Sequence, residues 1–133
     1  MTRRGYGEEA AVARLAMGEL EATIMDVLWE RGGWLTPGEV HEVLAADRPL
    51  AYTTVMTILV RLWRKGRLER HRDGRAFAYR PLHSREEHAA ARMAAMLRAA
   101  GDRPAALARF VDELSPADRA QLRRLLHGST GTR

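Results

Sequence analysis

The chain has 133 residues, a net charge of +5 at neutral pH and no cysteine, and its length suits one domain, or a small domain with an appendage. Its hydrophobic fraction of 46% is too high for a disordered chain, no apolar run approaches the ~20 residues of a membrane-spanning helix, and the missing cysteines exclude disulfides, thiolate metal sites and a cysteine nucleophile. The N-terminus also lacks the apolar core of a secretory signal. A soluble, cytoplasmic protein without direct membrane insertion is therefore expected.

The charge is unevenly distributed along the chain. Residues 1–47 carry four basic and nine acidic side chains, residues 48–85 carry ten basic and two acidic ones, and residues 86–133 carry eight and six. A basic block inside a nearly neutral remainder is typical of a nucleic-acid-binding surface. A solvated charged face would give the same counts, so the charge alone leaves both interpretations open.

Three helices are predicted in the first half, over about residues 18–31, 37–46 and 52–65, because apolar residues recur there every three or four positions. The second begins at Thr36-Pro37-Gly38-Glu39, where a hydroxyl cap and an acid three residues later satisfy the first free N–H groups. The apolar stripe of the third helix comprises Val55, Ile58, Leu59 and Leu62.

After Gly66 the pattern changes from helical to extended. Residues 68–72 and 75–80 flank Asp73-Gly74, a pair that tolerates the positive φ of a tight turn, so a β-hairpin is predicted, with Pro81 closing its second strand. The order of three helices and a hairpin is that of a winged helix-turn-helix. The predicted fold is mainly α with a small β-hairpin.

Three further helices are predicted over about residues 85–100, 103–114 and 116–127. Their apolar stripes exceed what three short helices can bury among themselves, so a two-fold partner is the expected cover. We therefore predict a homodimer whose helical dimerisation region uses Met93, Met96, Leu97, Leu107, Phe110, Val111, Leu114, Leu122, Leu125 and Leu126.

The predicted domain organisation follows from these elements. A flexible N-terminal tail covers residues 1–16, and the winged-helix domain covers residues 17–82. The helical dimerisation domain covers residues 83–128, and a second flexible tail covers residues 129–133.

The third helix carries a polar face opposite its apolar stripe. Thr54, Thr57, Arg61 and Arg64 lie within about 100° of Thr53 around the helix axis. Threonine allows close approach and offers a methyl and a hydroxyl to base edges, and arginine can bond guanine or grip phosphate. An ordinary exposed face is the alternative, but threonine is a poor helix former. The predicted DNA-binding residues of this helix are Tyr52, Thr53, Thr54, Thr57, Arg61 and Arg64.

The hairpin adds a second basic element beside this helix. Arg70, Arg72 and Arg75 crowd the predicted turn, where they would touch phosphates or enter the minor groove, and they are the predicted DNA-binding residues of the wing. Phe77 and Tyr79 alternate with alanines, and we expect them to pack the hairpin on the core, with stacking on bases as the alternative.

An enzyme or a metal site is not supported by the sequence. His83 and His88 stand near two glutamates, but no cysteine or further cluster completes a metal site. The serines lie on helix caps or a tail, and neither a glycine-rich phosphate loop nor a catalytic carboxylate pair occurs. We expect no catalytic residues, no metal and no cofactor.

Several of these motifs together resemble the penicillinase-repressor (BlaI/MecI) family over residues 17–127. The carriers are Met17-Gly18-Glu19-Leu20-Glu21, the run from Ala51 to Leu62 that includes Tyr52-Thr53-Thr54-Val55-Met56-Thr57, and Gly74-Arg75-Ala76-Phe77-Ala78-Tyr79. The resemblance implies a homodimeric repressor on a palindromic operator, often with TACA/TGTA half-sites, and C-terminal helices that interlock the subunits. By position, Thr53, Thr54, Thr57 and Arg61 match the family's recognition-helix contacts, and Arg72 and Arg75 match its wing.

The resemblance also implies what the repressor responds to, and this chain differs from characterised members of the family at two points. A β-lactam or cell-envelope stress response is implied, and staphylococcal members are released by a membrane-bound sensor protease at an Asn-Phe bond. The matching pair is Arg109-Phe110, which keeps the phenylalanine and lacks the asparagine, a departure that argues against cleavage there. Copper-responsive relatives bear cysteines that this chain lacks. The alternative function is a winged-helix dimer that serves as an interaction scaffold for an acidic protein partner.

Overall fold

A computed structural model of the chain describes the backbone of residues 3–131 and the side chains of residues 16–128. Within that range six helices and one two-stranded antiparallel sheet occur. In chain order they are α1 (Arg3–Arg31), α2 (Pro37–Ala45), α3 (Tyr52–Arg64), β1 (Leu68–Asp73), β2 (Ala76–Pro81), α4 (Arg85–Ala99), α5 (Arg103–Glu113) and α6 (Pro116–Gly131). The predicted mainly helical fold with a small hairpin is confirmed.

The first helix is longer than the sequence predicts. It begins at Arg3 rather than near residue 18. The segment between contains four alanines and no proline, and its two glycines are not enough to stop the helix. At the other end α6 continues to Gly131, past the predicted stop at Gly128. The predicted flexible tails cover residues 1–16 and 129–133. Apart from residue 16, their side chains lie outside the described residues, so their flexibility stays a prediction.

The chain divides into two compact units, Met1–Glu87 and His88–Arg133. The boundary lies a few residues beyond the predicted one at 82/83, inside α4. The start of α4 is tied to the first unit by two contacts with α1: Arg85 pairs with Asp26 at 3.3 Å, and the Trp29 indole donates to the His83 carbonyl at 3.0 Å.

The core of the first unit lies under α3. All four predicted stripe residues, Val55, Ile58, Leu59 and Leu62, are fully buried. They pack with buried residues of α1 and α2, which include Ile24, Met25, Leu28, Val40 and Leu44. Because the whole apolar side of α3 is fixed in this way, its opposite side faces outward in a defined orientation.

The N-terminus of α2 has the predicted capping box. The Thr36 hydroxyl accepts from the Glu39 backbone N–H, and the Thr36 backbone N–H donates to the Glu39 carboxylate at 2.9 Å. The backbone and side-chain hydrogen bonds from Thr36 hold the pKa of Glu39 below its ordinary value. The same reciprocal pair recurs between Ser84 and Glu87 at the start of α4. Both helix starts were predictable because the spacing satisfies two free donors at once.

The turn from α3 into the hairpin places the wing beside α3. Gly66 adopts φ +78°, and the N–H groups of Gly66 and Arg67 donate to the carbonyls of Trp63 and Leu62. These two hydrogen bonds form a Schellman motif at the end of α3. The motif needs a left-handed residue, a position that favours glycine and that Gly66 occupies. The hairpin turn forms at Gly74-Arg75, one residue later than the predicted Asp73-Gly74, because Asp73 pairs with Ala76 at the end of the strands and Gly74 adopts φ +66° at the first turn position.

A bridge that the sequence analysis missed anchors the hairpin on its other side. Leu35, in the α1–α2 loop, exchanges two backbone hydrogen bonds with Tyr79 of β2, at 2.9 and 2.8 Å. Both side chains are buried. The hairpin is therefore fixed both to the loop before α2 and to the end of α3.

The second unit is built differently. Neither α4 nor α5 contains a buried residue, so the apolar side chains of these helices remain partly or largely accessible. Over the described part of the chain, no helix combines the length and the apolarity that crossing a membrane would require.

Candidate nucleic-acid interface

The exposed face of α3 is the centre of the candidate site. Thr53, Thr57, Arg61 and Arg64 are exposed and Thr54 is half-buried, all on the side opposite the core stripe. The Thr57 hydroxyl donates to the Thr53 carbonyl at 2.9 Å. Its proton is thus used within the helix, which leaves the oxygen lone pair and the methyl group available to a ligand.

Tyr52 stands at the N-terminal end of this face. Its side chain is 43% exposed, and its ring meets the His41 ring of α2 edge to face at a centroid distance of 5.9 Å. This contact links the start of α3 to the preceding helix. Met56, which the sequence analysis did not select, is also 41% exposed on α3 and adds an apolar group beside the threonines.

An ion cluster lies at the C-terminal end of α3. The carboxylate of Glu21, on α1, accepts from the Lys65 ammonium at 2.8 and 2.9 Å through its two oxygens. The Arg61 Nε lies 3.7 Å from the same carboxylate. Glu21 is only 7% exposed, whereas about half of the Arg61 and Lys65 side chains is accessible. The cluster therefore presents two cations outward over one buried anion.

Arg70 of β1 has contacts other than those that its predicted phosphate role suggests. Its guanidinium carbon lies 3.5 Å from the centre of the Trp63 ring and 3.9 Å from that of Phe77, and its Nη1 donates to the Tyr79 hydroxyl at 3.4 Å. Arg70 is half-buried. These contacts join the end of α3 to both strands of the hairpin, so in this structure Arg70 holds the wing against α3.

The other two predicted wing arginines are exposed. Arg72 lies with its guanidinium carbon 5.2 Å from the Phe77 ring, and Arg75 forms the turn together with Gly74. Tyr79 is buried and Phe77 packs against the core, which confirms the expected packing role of these two rings. The wing thus has its aromatic groups inward, and of its three predicted arginines only Arg72 and Arg75 are exposed.

Two residues of the cluster, Glu21 and Lys65, were missed at the sequence level although a signal was present. Glu21 falls three positions before Ile24 and seven before Leu28, within the apolar stripe of α1. An acid in such a stripe is buried and needs a cationic partner. The sequence could predict that a partner exists, but not that it comes from the last turn of α3.

The second unit carries the residues predicted for dimerisation. Six are exposed: Met93 (57%), Met96 (72%), Leu107 (45%), Phe110 (43%), Leu125 (59%) and Leu126 (62%). Leu97, Val111, Leu114 and Leu122 are half-buried. Between α4 and α5 lies a groove of about 480 Å³, lined by Arg92, Met93, Ala94, Met96, Leu97, Ala106, Leu107 and Phe110. The second unit therefore exposes several large apolar side chains, some of which line this groove.

Two further points concern the Arg109-Phe110 pair and metal binding. The Arg109-Phe110 pair lies inside α5 with both side chains exposed, so a protease would have to unwind the helix locally to bind it in an extended form. For the side chains of residues 16–128, no group of three or more histidine, aspartate or glutamate residues is arranged to hold a metal ion.

The arrangement of α1 to α3 with the adjoining hairpin defines a winged-helix DNA-binding protein, in which α3 occupies the position of the recognition helix. The sequence profile described as Penicillinase repressor matches residues 17–128. The chain belongs to the penicillinase repressor (BlaI/MecI) family and is thus a DNA-binding transcriptional repressor. The predicted resemblance and the prediction that the chain is not an enzyme are confirmed, because this family is non-enzymatic.

Individual relatives agree with this assignment. The chain is 45% identical over 113 residues to the transcriptional regulator BlaI of Mycobacterium tuberculosis, in strain H37Rv and in strain CDC 1551, which covers 83% of this chain and 82% of the relative. It is 32% identical over 65 residues to the penicillinase repressor of Bacillus licheniformis, which covers 49% and 50%. Among solved structures it is similar to the solution structure of the DNA-binding domain of the repressor BlaI, with 30% identity, a TM-score of 0.47 and coverage of 52% and 83%.

Proposed function

We propose that this repressor binds a palindromic operator as a homodimer and reads its sequence with the exposed face of α3. The observation that carries the proposal is that face itself: three threonines and two arginines stand opposite a fully buried stripe. A helix of this kind fits the major groove, which is wide enough to admit it. The basic hairpin would then lie beside the duplex backbone.

The residue types suit half-sites of the TACA/TGTA type. Such a half-site holds one G·C pair among A·T pairs, and arginine is the side chain that bonds guanine O6 and N7 in two places. Threonine methyl groups suit contact with thymine methyl groups. Arg61 and the three threonines, Thr53, Thr54 and Thr57, therefore read bases in this proposal, while Arg64, Arg72 and Arg75 anchor phosphates.

The dimer is supported by the apolar surface of the second unit. Met93, Met96 and Leu107 are each about half exposed or more and line one groove, and exposed apolar side chains that cluster in this way mark an interaction site. A two-fold axis through that surface would present α3 twice, and a palindrome mirrors such an axis.

The regulated response is proposed from the relatives. One relative bears the name penicillinase repressor, which supports a β-lactam or cell-envelope stress response. The membrane-bound sensor protease proposed as upstream partner rests on the family resemblance alone. The position of Arg109-Phe110 inside α5 and the absence of asparagine argue that release uses another bond or another mechanism.

The test is a fluorescence anisotropy titration of two duplexes at several salt concentrations. One duplex holds a palindrome of TACA/TGTA half-sites, and the other holds the same bases shuffled. The proposal predicts at least ~10³-fold tighter binding of the palindrome, within the usual range for specific sites. Equal affinity for both duplexes would instead support the scaffold that meets an acidic partner.

Arg61→Ala is expected to weaken operator binding by about 1–3 kcal/mol and to relax base preference, because a two-point contact with guanine is lost. The measurement is the anisotropy titration on palindromes in which each G·C pair is replaced by A·T in turn. An unchanged operator affinity would remove Arg61 from the base-reading set.

Arg72→Ala is expected to weaken binding to the palindrome and to the shuffled duplex by the same factor, because a phosphate contact carries no sequence information. The slope of log affinity against log salt should become shallower by about one, the contribution of one phosphate contact. A change in the preference between the duplexes would assign Arg72 to base reading instead.

A further inference from the structure

We infer that Glu21 is a positioning residue for sequence recognition: its buried carboxylate, neutralised by Lys65, orients the guanidinium of Arg61 for a base edge. The inference rests on the proposed reading of an operator by α3. Glu21 belongs to α1 and is only 7% exposed, so it would not meet DNA itself and its action passes through Arg61.

The geometry separates the two cations of the cluster. Lys65 bonds both carboxylate oxygens, at 2.8 and 2.9 Å, which are charge-assisted hydrogen bonds of full strength. Arg61 meets the carboxylate through Nε at 3.7 Å, which is too long for a hydrogen bond and still close enough for attraction. Lys65 therefore satisfies the hydrogen-bonding needs of the buried carboxylate. The carboxylate attracts the Arg61 guanidinium without forming a hydrogen bond to it.

Because Arg61 faces Glu21 through Nε, its two terminal guanidinium nitrogens remain available to bond a base. Over the described side chains, the structure records no hydrogen bond from either terminal nitrogen of its guanidinium. These two nitrogens form the planar fork that bonds guanine O6 and N7. A long arginine side chain loses rotamer freedom when it binds, and an acid that restrains it beforehand reduces that loss.

Burial makes the restraint effective. Glu21 is 7% exposed and sits among the core residues of α1, so its carboxylate has one position relative to the last turn of α3. An exposed acid would be mobile and screened by salt, and would orient Arg61 poorly. Removing the carboxylate should thus act on the discrimination between sequences rather than on general attraction to DNA.

The test compares Glu21→Gln with Glu19→Gln in the full-length protein. Glu19 is 68% exposed and pairs with Arg48, so its substitution removes the same charge two positions away. The measured quantity is the ratio of affinities for the palindromic and the shuffled duplex. Glu21→Gln is expected to lower this ratio by roughly five- to tenfold, a coupling typical of side chains in contact, while affinity for the shuffled duplex stays equal or rises. Glu19→Gln should leave the ratio unchanged.

A double-mutant cycle distinguishes positioning from a structural role. In the Arg61→Ala background, Glu21→Gln is expected to cause no further loss of the ratio, because the group that Glu21 orients is absent. An equal loss in both backgrounds, or a ratio within twofold of the wild type for Glu21→Gln alone, would overturn the inference.

Folding is checked by thermal unfolding monitored by circular dichroism. If Glu21→Gln does not fold, Glu21→Asp supplies the test, because it keeps the charge for the flexible Lys65 while withdrawing the carboxylate from Arg61. A retained ratio in that variant would overturn the inference. If the wild type itself shows no preference for the palindrome, the proposed function fails; if it shows one that Glu21 variants keep, only the role of Glu21 fails.

Discussion

Replacing Phe110 with aspartate is expected to convert the proposed dimer into a monomer and to weaken operator binding by about 2–4 kcal/mol, the range of central interface residues. Phe110 lines the groove between α4 and α5 and is 43% exposed. A carboxylate there would have to be buried without a partner when two apolar surfaces meet, and that desolvation is costly. Sedimentation equilibrium measures the mass, and anisotropy measures the affinity for the palindrome.

The matched control is Ala105→Asp. Ala105 is exposed on α5 and lies about 150° around the helix axis from the centre of the groove-lining positions 106, 107 and 110 and about 120° from Val111, so it adds the same charge outside the proposed interface. This variant should remain dimeric and keep its operator affinity. A monomeric wild-type protein at micromolar concentration would contradict the proposed dimer directly, and a dimeric Phe110→Asp protein would place the interface elsewhere.

The elements of the winged helix were predictable from the sequence because they depend on local signals. The apolar spacing from Val55 to Leu62 predicts a helix over 52–65, and the structure has Tyr52–Arg64. Asp73-Gly74 predicts a hairpin turn, and the turn forms one residue later, at Gly74-Arg75, with Gly74 at the required positive φ. The capping box at Thr36 is read from two residues. In each case the physical cause lies within a few positions along the chain.

The contacts that complete the candidate site were not predictable in the same way. Glu21 and Lys65 are separated by 44 positions, and neither the spacing of α1 nor that of α3 shows which cation reaches the acid. The bridge between Leu35 and Tyr79 joins a loop to a strand. A loop has no hydrophobic periodicity from which its contacts could be predicted. Arg70 shows the same limit, since its basic charge suggests phosphate binding while its neighbours in space are aromatic rings.

The start of α1 illustrates a different limit. Helix starts are recognised by caps, and the one hydroxyl before residue 18, that of Thr2, has no acid three positions later, so the full capping signal is missing and a tail is predicted. High helix propensity without a stop is enough to extend a helix that is already nucleated by its packed part. The position of such a helix start depends on the stability of the adjacent helical turn rather than on a local capping motif.

Replacing Arg70 with alanine is expected to lower the free energy of unfolding of the first unit by about 2–3 kcal/mol, since two cation–π contacts in a half-buried site and the packing of the side-chain stem are lost together. The guanidinium carbon lies 3.5 Å from the Trp63 ring centre and 3.9 Å from that of Phe77. Its removal separates the last turn of α3 from β2, so the wing should also become more mobile. Urea denaturation monitored by tryptophan fluorescence measures the change.

Two further variants give this prediction its specificity. Arg75→Ala removes the same charge from the exposed side of the turn and should leave the unfolding free energy within about 0.5 kcal/mol of the wild type. Arg70→Lys keeps the charge but lacks the planar group that stacks on both rings, and it should restore less than half of the loss. Equal unfolding free energies for Arg70→Ala and Arg75→Ala would show that the two rings hold the wing without the guanidinium, and Arg70 would then return to the set of phosphate-binding candidates.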